Sequence, residues 1–190
     1  IILPIYKASL KDEPRPIEKV RSGSTRLFYV APLDHLIVSK VFLKPFYSTL
    51  VENRSVFGSA IGVNMHNNAE FILNRLKHPN LLDGDFSAFD TTLPFLIRKT
   101  AAEVIYLVLE YAGYTKQQLS VVGGILSAGL FPIVQLLLDV FMAPSLQPSG
   151  KDATAEDNTL SNRILLMYYW YSHPVLKTKD FFEHVSDVIN

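Results

Sequence analysis

Two aspartates five residues apart, Asp85 and Asp90 in the run Asp83-Gly-Asp85-Phe-Ser-Ala-Phe-Asp90, form the first group of residues able to do chemistry. Carboxylates carried on an ordered apolar segment are costly to keep without a partner. Metal-dependent phosphoryl transfer supplies a use for them, because Mg²⁺ takes carboxylate oxygens together with substrate phosphates. Read singly, Asp83 and Asp85 are equally well turn residues, and Asp90 a helix cap.

The second group is Pro148-Ser149-Gly150-Lys-Asp-Ala-Thr154-Ala-Glu-Asp-Asn158. A Ser-Gly loop running into a helix offers free backbone N–H groups, which suit phosphate or ribose. Thr154 and Asn158, four apart, share one helical face. The plain alternative is a loop followed by a helix with a threonine cap. The third group runs from Lys11 through Asp-Glu-Pro-Arg15 and Lys19 to Arg26. Arginine forks grip phosphates bidentately, although Asp12, Glu13 and Glu18 can pair some of that charge internally.

The elements that must position these groups follow from pattern and punctuation. Residues 18–30 read as an extended hairpin turning at Ser22-Gly23, and 33–51 as a helix interrupted at Pro45. A short helix is expected over 66–77, ended by Pro79. Leu81 to Phe89 reads as a short strand, after which Thr91-Thr92 offers an N-cap for a helix from Pro94 to Ala112 closed by Gly113. A further helix starts near Thr115 and stops at Gly123-Gly124; 133–143 fits strand or helix and is read as strand, 144–153 as loop, and 154–171 and 178–189 as helices.

With 48% hydrophobic and 12% aromatic residues the chain is expected to fold around a real core. The absence of cysteine excludes disulfides and thiolate zinc sites. The formal net charge is zero, yet residues 1–30 are net basic and 151–190 net acidic, and local charge governs attraction to phosphates. The uncharged run Gln117–Leu138 is long enough for a membrane span, but Gly123, Gly124, Gly129 and Pro132 break it and no basic cluster flanks it. It reads as buried core, and no transmembrane segment is expected.

Taken together, and in this order, the three groups resemble motifs F, A and B of the RNA-dependent RNA polymerases of picorna-like positive-strand RNA viruses. KDEPRPIEKVRSGSTRLF resembles motif F, GDFSAFDTTL motif A and PSGKDATAEDN motif B, covering roughly residues 11–170. The resemblance implies an α+β fold: a partial right-hand polymerase with fingers and the first half of the palm, the thumb absent. Residues 1–80 would be a fingers segment with the basic nucleotide-channel hairpin at 11–30. Residues 81–113 would be the palm strand and helix with Asp-x4-Asp, 114–143 a fingers–palm connection, and 144–190 the Ser-Gly loop and palm helices. The Gly-Asp-Asp turn of motif C does not occur in the sequence and is expected just past Asn190. The chain thus reads as a fragment, inactive alone.

By that resemblance Asp85 is the catalytic carboxylate and ligand of Mg²⁺, with Mn²⁺ as its substitute. Asp90 senses the ribose 2′-OH, with Ser149, Thr154 and Asn158 completing the network and Ser149-Gly150 forming the loop beside the RNA. Arg15, Lys19, Arg26 and Lys11 hold the triphosphate. The implied partners are an RNA template and primer strand, ribonucleoside triphosphates and other viral replication proteins. The implied place is the host cytoplasm, at membrane-associated replication complexes. Two positions depart from the pattern: Ser24 stands where the family commonly has Lys, and Gln147 precedes Pro-Ser-Gly where small or apolar residues are usual. The rival readings are another palm polymerase, such as a reverse transcriptase, and a non-catalytic RNA-binding or membrane-associated replicase segment. Polar residues at Asp90 and Asn158 disfavour the first.

Overall fold

The computed structural model describes residues 3–64, 66–77, 83–144 and 146–184. In chain order its elements are β1 (Ile5–Leu10), α1 (Ile17–Arg21), β2 (Leu27–Val30), α2 (Leu33–Glu52), α3 (Arg54–Phe57), α4 (Ala69–Arg75), α5 (Phe89–Thr92), α6 (Phe95–Tyr111) and α7 (Lys116–Leu130). There follow β3 (Ile133–Leu136), β4 (Asp139–Met142), α8 (Thr154–Ser172), a 3₁₀ turn (Leu176–Thr178) and α9 (Phe181–His184). The architecture is α+β, as the sequence implies.

The strands form one sheet in the order β2-β1-β3-β4. Strand β1 pairs antiparallel with β2, from Lys7 opposite Val30 to Leu10 opposite Leu27, and parallel with β3, from Ile5 opposite Ile133 to Lys7 opposite Gln135. Tyr6, Ala31 and Val134 make a small core on the sheet. The main core lies among four helices, with Leu43, Phe46, Tyr47 and Leu50 of α2 against Ala101, Ile105 and Leu109 of α6, Leu119 and Val122 of α7, and Leu160 of α8.

Several local expectations are corrected. The segment 18–30 is not itself a hairpin: β1 supplies the partner of β2, and the basic stretch between them holds the short helix α1. Pro14 and Pro16 cannot donate to a ladder, and Pro16 instead opens α1; the turn at Gly23 does form, with φ +68°. Helix α2 runs through Pro45 unbroken, because burial of Leu43, Phe46, Tyr47 and Leu50 offsets the missing N–H. Helix α7 passes through Gly123, Gly124 and Gly129 and stops before Pro132. Its start carries a full capping box between Thr115 and Gln118, which satisfies donors at the end where the chain must nucleate.

Thr91 and Thr92 do not cap α6; Pro94 precedes it, and both threonine hydroxyls donate to the carbonyl of Ala88, at 3.1 and 3.0 Å. Gly113 closes that helix at φ +90°, as its position suggests. The expected strand at 81–89 fails where it is described: residues 83–86 are irregular and 89–92 are a helical turn, since Asp and Gly favour turns over a ladder. Leu81, Leu82 and Pro79 lie outside the described residues. The single strand expected at 133–143 is a hairpin of two, β3 and β4, turning at Leu137 with φ +56°. The helix expected over 66–77 is shorter, 69–75, and of that expected over 178–189 the described part is α9, whose second and third amides, Phe182 and Glu183, donate to Asp180 Oδ1 at 2.8 and 3.1 Å.

Candidate nucleotide-binding cleft

A cleft of about 1560 Å³ opens between the β1–β2 connection, the 85–91 segment and the start of α8. It is lined by Lys11, Arg15, Lys19 and Arg26, by Asp85 and Asp90, and by Ser149, Thr154 and Asn158. Three stretches far apart in sequence thus meet around one space, which exceeds the ~300–1,000 Å³ of a typical small-molecule pocket. Of the site residues that the resemblance implies, Gly150 alone does not line it.

Gly150 sits behind the cleft and joins its two walls. Its N–H donates to the Tyr29 carbonyl at 2.8 Å, and the Ala31 N–H donates to the Gly150 carbonyl at 3.4 Å, so the Ser-Gly loop pairs with the end of β2. A Cβ at this position would stand 2.4 Å from the Tyr29 carbonyl oxygen, which only glycine avoids. Ser149 Oγ accepts from the Tyr29 N–H at 3.4 Å.

The cations are organised by one carboxylate. Glu13 pairs with Lys11 at 3.0 Å, Arg26 at 3.6 Å and Arg15 at 3.7 Å. The hydrogen bond from Lys11 is the main reason its carboxyl is held below the usual range. Arg15 also donates to the Ser24 carbonyl at 2.6 Å, which fixes it across the loop closed by Gly23. Lys19 has no carboxylate partner among the described residues and is exposed at the rim.

Asp85 is exposed on the irregular segment before α5, while Asp90, within α5, is half-buried. Asp90 also faces Tyr29, whose hydroxyl is pushed up first by burial and then by that carboxylate. Two alanines, Ala88 (φ +50°) and Ala153 (φ +55°), hold left-handed conformations immediately before α5 and α8. Strain of this kind costs on the order of 1–2 kcal/mol per residue and concentrates at functional sites. Here it sets the turns that present Asp90 on one wall and Thr154 and Asn158 on the other.

Thr154 opens α8, and its hydroxyl lies 3.2 Å from the Lys151 carbonyl and 3.4 Å from that of Pro148. It therefore braces the loop and does not cap the helix amides. Asn158, one turn on, is half-buried, and its Oδ1 accepts from Gln147 Nε2 at 2.5 Å. Between them on the inner face, Asp157 is buried, pairs with Lys151 and accepts from the Tyr47 hydroxyl at 2.7 Å. Burial first, and Asp157 next, push that tyrosine well above its ordinary value. Sequence reasoning missed Gln147 and Asp157 as supports, since nothing in their spacing shows that they are buried.

Among the described residues no group of three or more His, Cys, Asp or Glu side chains could hold a metal ion. The Asp85 carboxylate nevertheless suits Mg²⁺, which takes oxygen ligands, needs few from the protein and keeps waters or substrate phosphates on its other positions. No described helix is long and apolar enough to cross a membrane.

This arrangement agrees with what the chain resembles as a whole. The profile of the viral RNA-dependent RNA polymerase family matches residues 3–183. The replicase polyprotein of Acute bee paralysis virus (strain Rothamsted) is 30% identical over 194 residues, covering 95% of this chain and 10% of the polyprotein. That of Cricket paralysis virus is 29% identical over 175 residues, covering 87% and 10%. Among solved structures, a Sicinivirus 3Dpol RNA dependent RNA polymerase superposes with a TM-score of 0.77 at 22% identity, over 90% of this chain and 36% of that one. The chain spans only about a tenth of the length of these two polyproteins. With three motif-like stretches folded around one cleft and a family profile covering nearly its full length, the chain belongs to the viral RNA-dependent RNA polymerase family.

Proposed function

We propose that the protein to which this chain contributes synthesises RNA on an RNA template from ribonucleoside triphosphates, and that the cleft is where the incoming nucleotide is held. The observation that carries this reading is the meeting of Lys11, Arg15, Lys19 and Arg26 with Asp85, Asp90, Ser149, Thr154 and Asn158 around one space. Each wall suits one part of a nucleotide. Lys11, Arg15, Lys19 and Arg26 offer donors and positive charge to a triphosphate. Asp90, Ser149 and Asn158 offer acceptors and donors to the ribose hydroxyls, with Thr154 bracing the loop. A site that hydrogen-bonds a hydroxyl rejects the sugar lacking it, because its polar groups are then left unpaired.

Asp85 would hold Mg²⁺, or Mn²⁺ in its place, and the ion when bound would neutralise charge on the phosphates during transfer. The chain's own contribution is to align the nucleotide: the Glu13-centred cations pre-set the triphosphate end, and the Gly150–Tyr29 bridge holds the ribose end at a fixed distance from it. Primer and template strands, other viral replication proteins and a place at membrane-associated complexes in the host cytoplasm belong to the same reading.

The test is Asp85→Asn in the intact polymerase, measured by single-nucleotide incorporation and by RNA binding. Incorporation is expected to fall by far more than tenfold while RNA affinity, carried mainly by basic groups, stays close to wild type. Retention of more than about a tenth of the activity, a barrier change under ~1.4 kcal/mol, would remove Asp85 from the reaction.

A further inference from the structure

Gln147 occupies a position that its side chain ill suits unless it has a task. The residue is only 2% exposed, and its Oε1 is buried without a hydrogen-bonding partner among the described residues. An apolar side chain of the same length would fill the space and leave no acceptor orphaned. What Gln147 does have is two directed bonds to the two groups on either side of it. Its backbone N–H donates to the Asp90 carbonyl at 2.9 Å, and its Nε2 donates to Asn158 Oδ1 at 2.5 Å.

These bonds have a consequence for Asn158. A carboxamide carries an acceptor on one branch and a two-proton donor on the other. With Oδ1 committed to Gln147, the branch left to the cleft is the Nδ2 donor. The same residue, through its main chain, sets how far Asp90 stands from Asn158. We infer that Gln147 is a positioning residue for sugar recognition: it fixes which face of the Asn158 carboxamide is presented to the nucleotide and ties that face to the Asp90 turn. This rests on the proposed function above and adds to it a residue that borders the cleft but is itself only 2% exposed.

The experiment measures ribonucleotide against deoxyribonucleotide incorporation by the intact polymerase, as kcat/KM for each, in wild type, Gln147→Met, Gln147→Glu, Asn158→Ala and the Gln147→Met/Asn158→Ala double variant. Gln147→Met keeps the volume and removes the donor; the preference for ribonucleotides is expected to drop about fivefold or more, the worth of one net hydrogen bond. In the Asn158→Ala background the same change is expected to move the ratio by less than twofold, because the effect passes through Asn158. Gln147→Glu keeps shape and length but only accepts, so Asn158 must turn its donor inward; a drop at least as large is expected, and this variant carries the test where Gln147→Met fails to fold. An unchanged ratio in Gln147→Glu, or equal losses with and without Asn158, overturns the inference while leaving the polymerase reading intact. A wild-type enzyme that does not prefer ribonucleotides overturns the underlying reading itself.

Discussion

Replacing Gly150 by alanine tests the join between the two walls of the cleft. The added Cβ would stand 2.4 Å from the Tyr29 carbonyl oxygen, 3.2 Å from its carbonyl carbon and 3.2 Å from the Val30 Cα, all backbone atoms that cannot rotate away. Relief to ordinary contact requires the loop to withdraw by roughly 1 Å, given usual non-bonded separations. The Gly150 N–H to Tyr29 bond, now 2.8 Å, and the Ala31 to Gly150 bond, now 3.4 Å, would both then exceed hydrogen-bonding distance. Two backbone bonds at about 1 kcal/mol net each give a local loss of about 2 kcal/mol, or roughly thirtyfold in an opening equilibrium. Native-state hydrogen exchange on the intact polymerase reads this at the Ala31 amide, which should exchange about thirty times faster, while amides in the α6 core stay unchanged. Because Ser149 also leaves Tyr29, ribonucleotide kcat/KM should fall in parallel. Exchange at Ala31 within threefold of wild type would show that the loop accommodates a methyl group and that the bridge does not tie the walls together.

Asn158→Asp and Asp90→Ala should each narrow the preference for ribonucleotides over deoxyribonucleotides in matched single-turnover assays; an unchanged ratio in both would return these residues to a structural role. Asp157→Ala should destabilise the α2–α8 contact by about 3–5 kcal/mol, since it strands the largely buried Lys151 ammonium and the Tyr47 hydroxyl; a loss under about 1 kcal/mol in denaturant unfolding would refute this. His35, which shares a 3.2 Å hydrogen bond with the Tyr6 hydroxyl, has its pKa lowered, chiefly by burial. Its folded state therefore favours the neutral ring, and its contribution to stability is full above the ordinary histidine value of about 6.5 and declines as pH falls below it. Melting curves between about pH 7.5 and 5.5 should show this decline, and His35→Gln should flatten it.

The cleft was legible in the sequence because its residues are specified by chemistry: Asp85, Asp90, Ser149, Thr154 and Asn158 each carry a polar group whose type and spacing survive without knowledge of the fold. The elements around it were legible where an apolar period runs up to a terminating glycine, as in α6 and Gly113. They were not where tertiary burial overrides a local breaker. Pro45 and the glycine pair 123–124 look like interruptions, yet α2 and α7 continue because their apolar faces pack into one core. The segment at 83–86 failed in the opposite sense, since an apolar run bounded by acids reads as a strand although no strand of the described residues pairs with it. Gln147 and Asp157 were unreadable as supports because their importance lies in being buried, and burial of a single polar residue leaves no periodic trace.

The sheet also has a history in time. Strand β1 meets β2 about twenty residues later, but its other neighbour, β3, begins about 130 residues downstream. At a synthesis rate of about 5–20 residues per second, that edge of β1 waits on the order of ten seconds on the ribosome for its partner. Throughout that interval Tyr6, which ends wholly enclosed beside Val134, is left uncovered on the β3 side. Parallel pairing across so long a loop is among the slower events in folding. Docking of β3 is therefore a late step in assembling this chain, and it can occur only after α2, α6 and α7 have been made. Substitutions that weaken β3, such as Val134→Ala, should then lower the yield of native protein during synthesis more than they lower the stability of the finished fold.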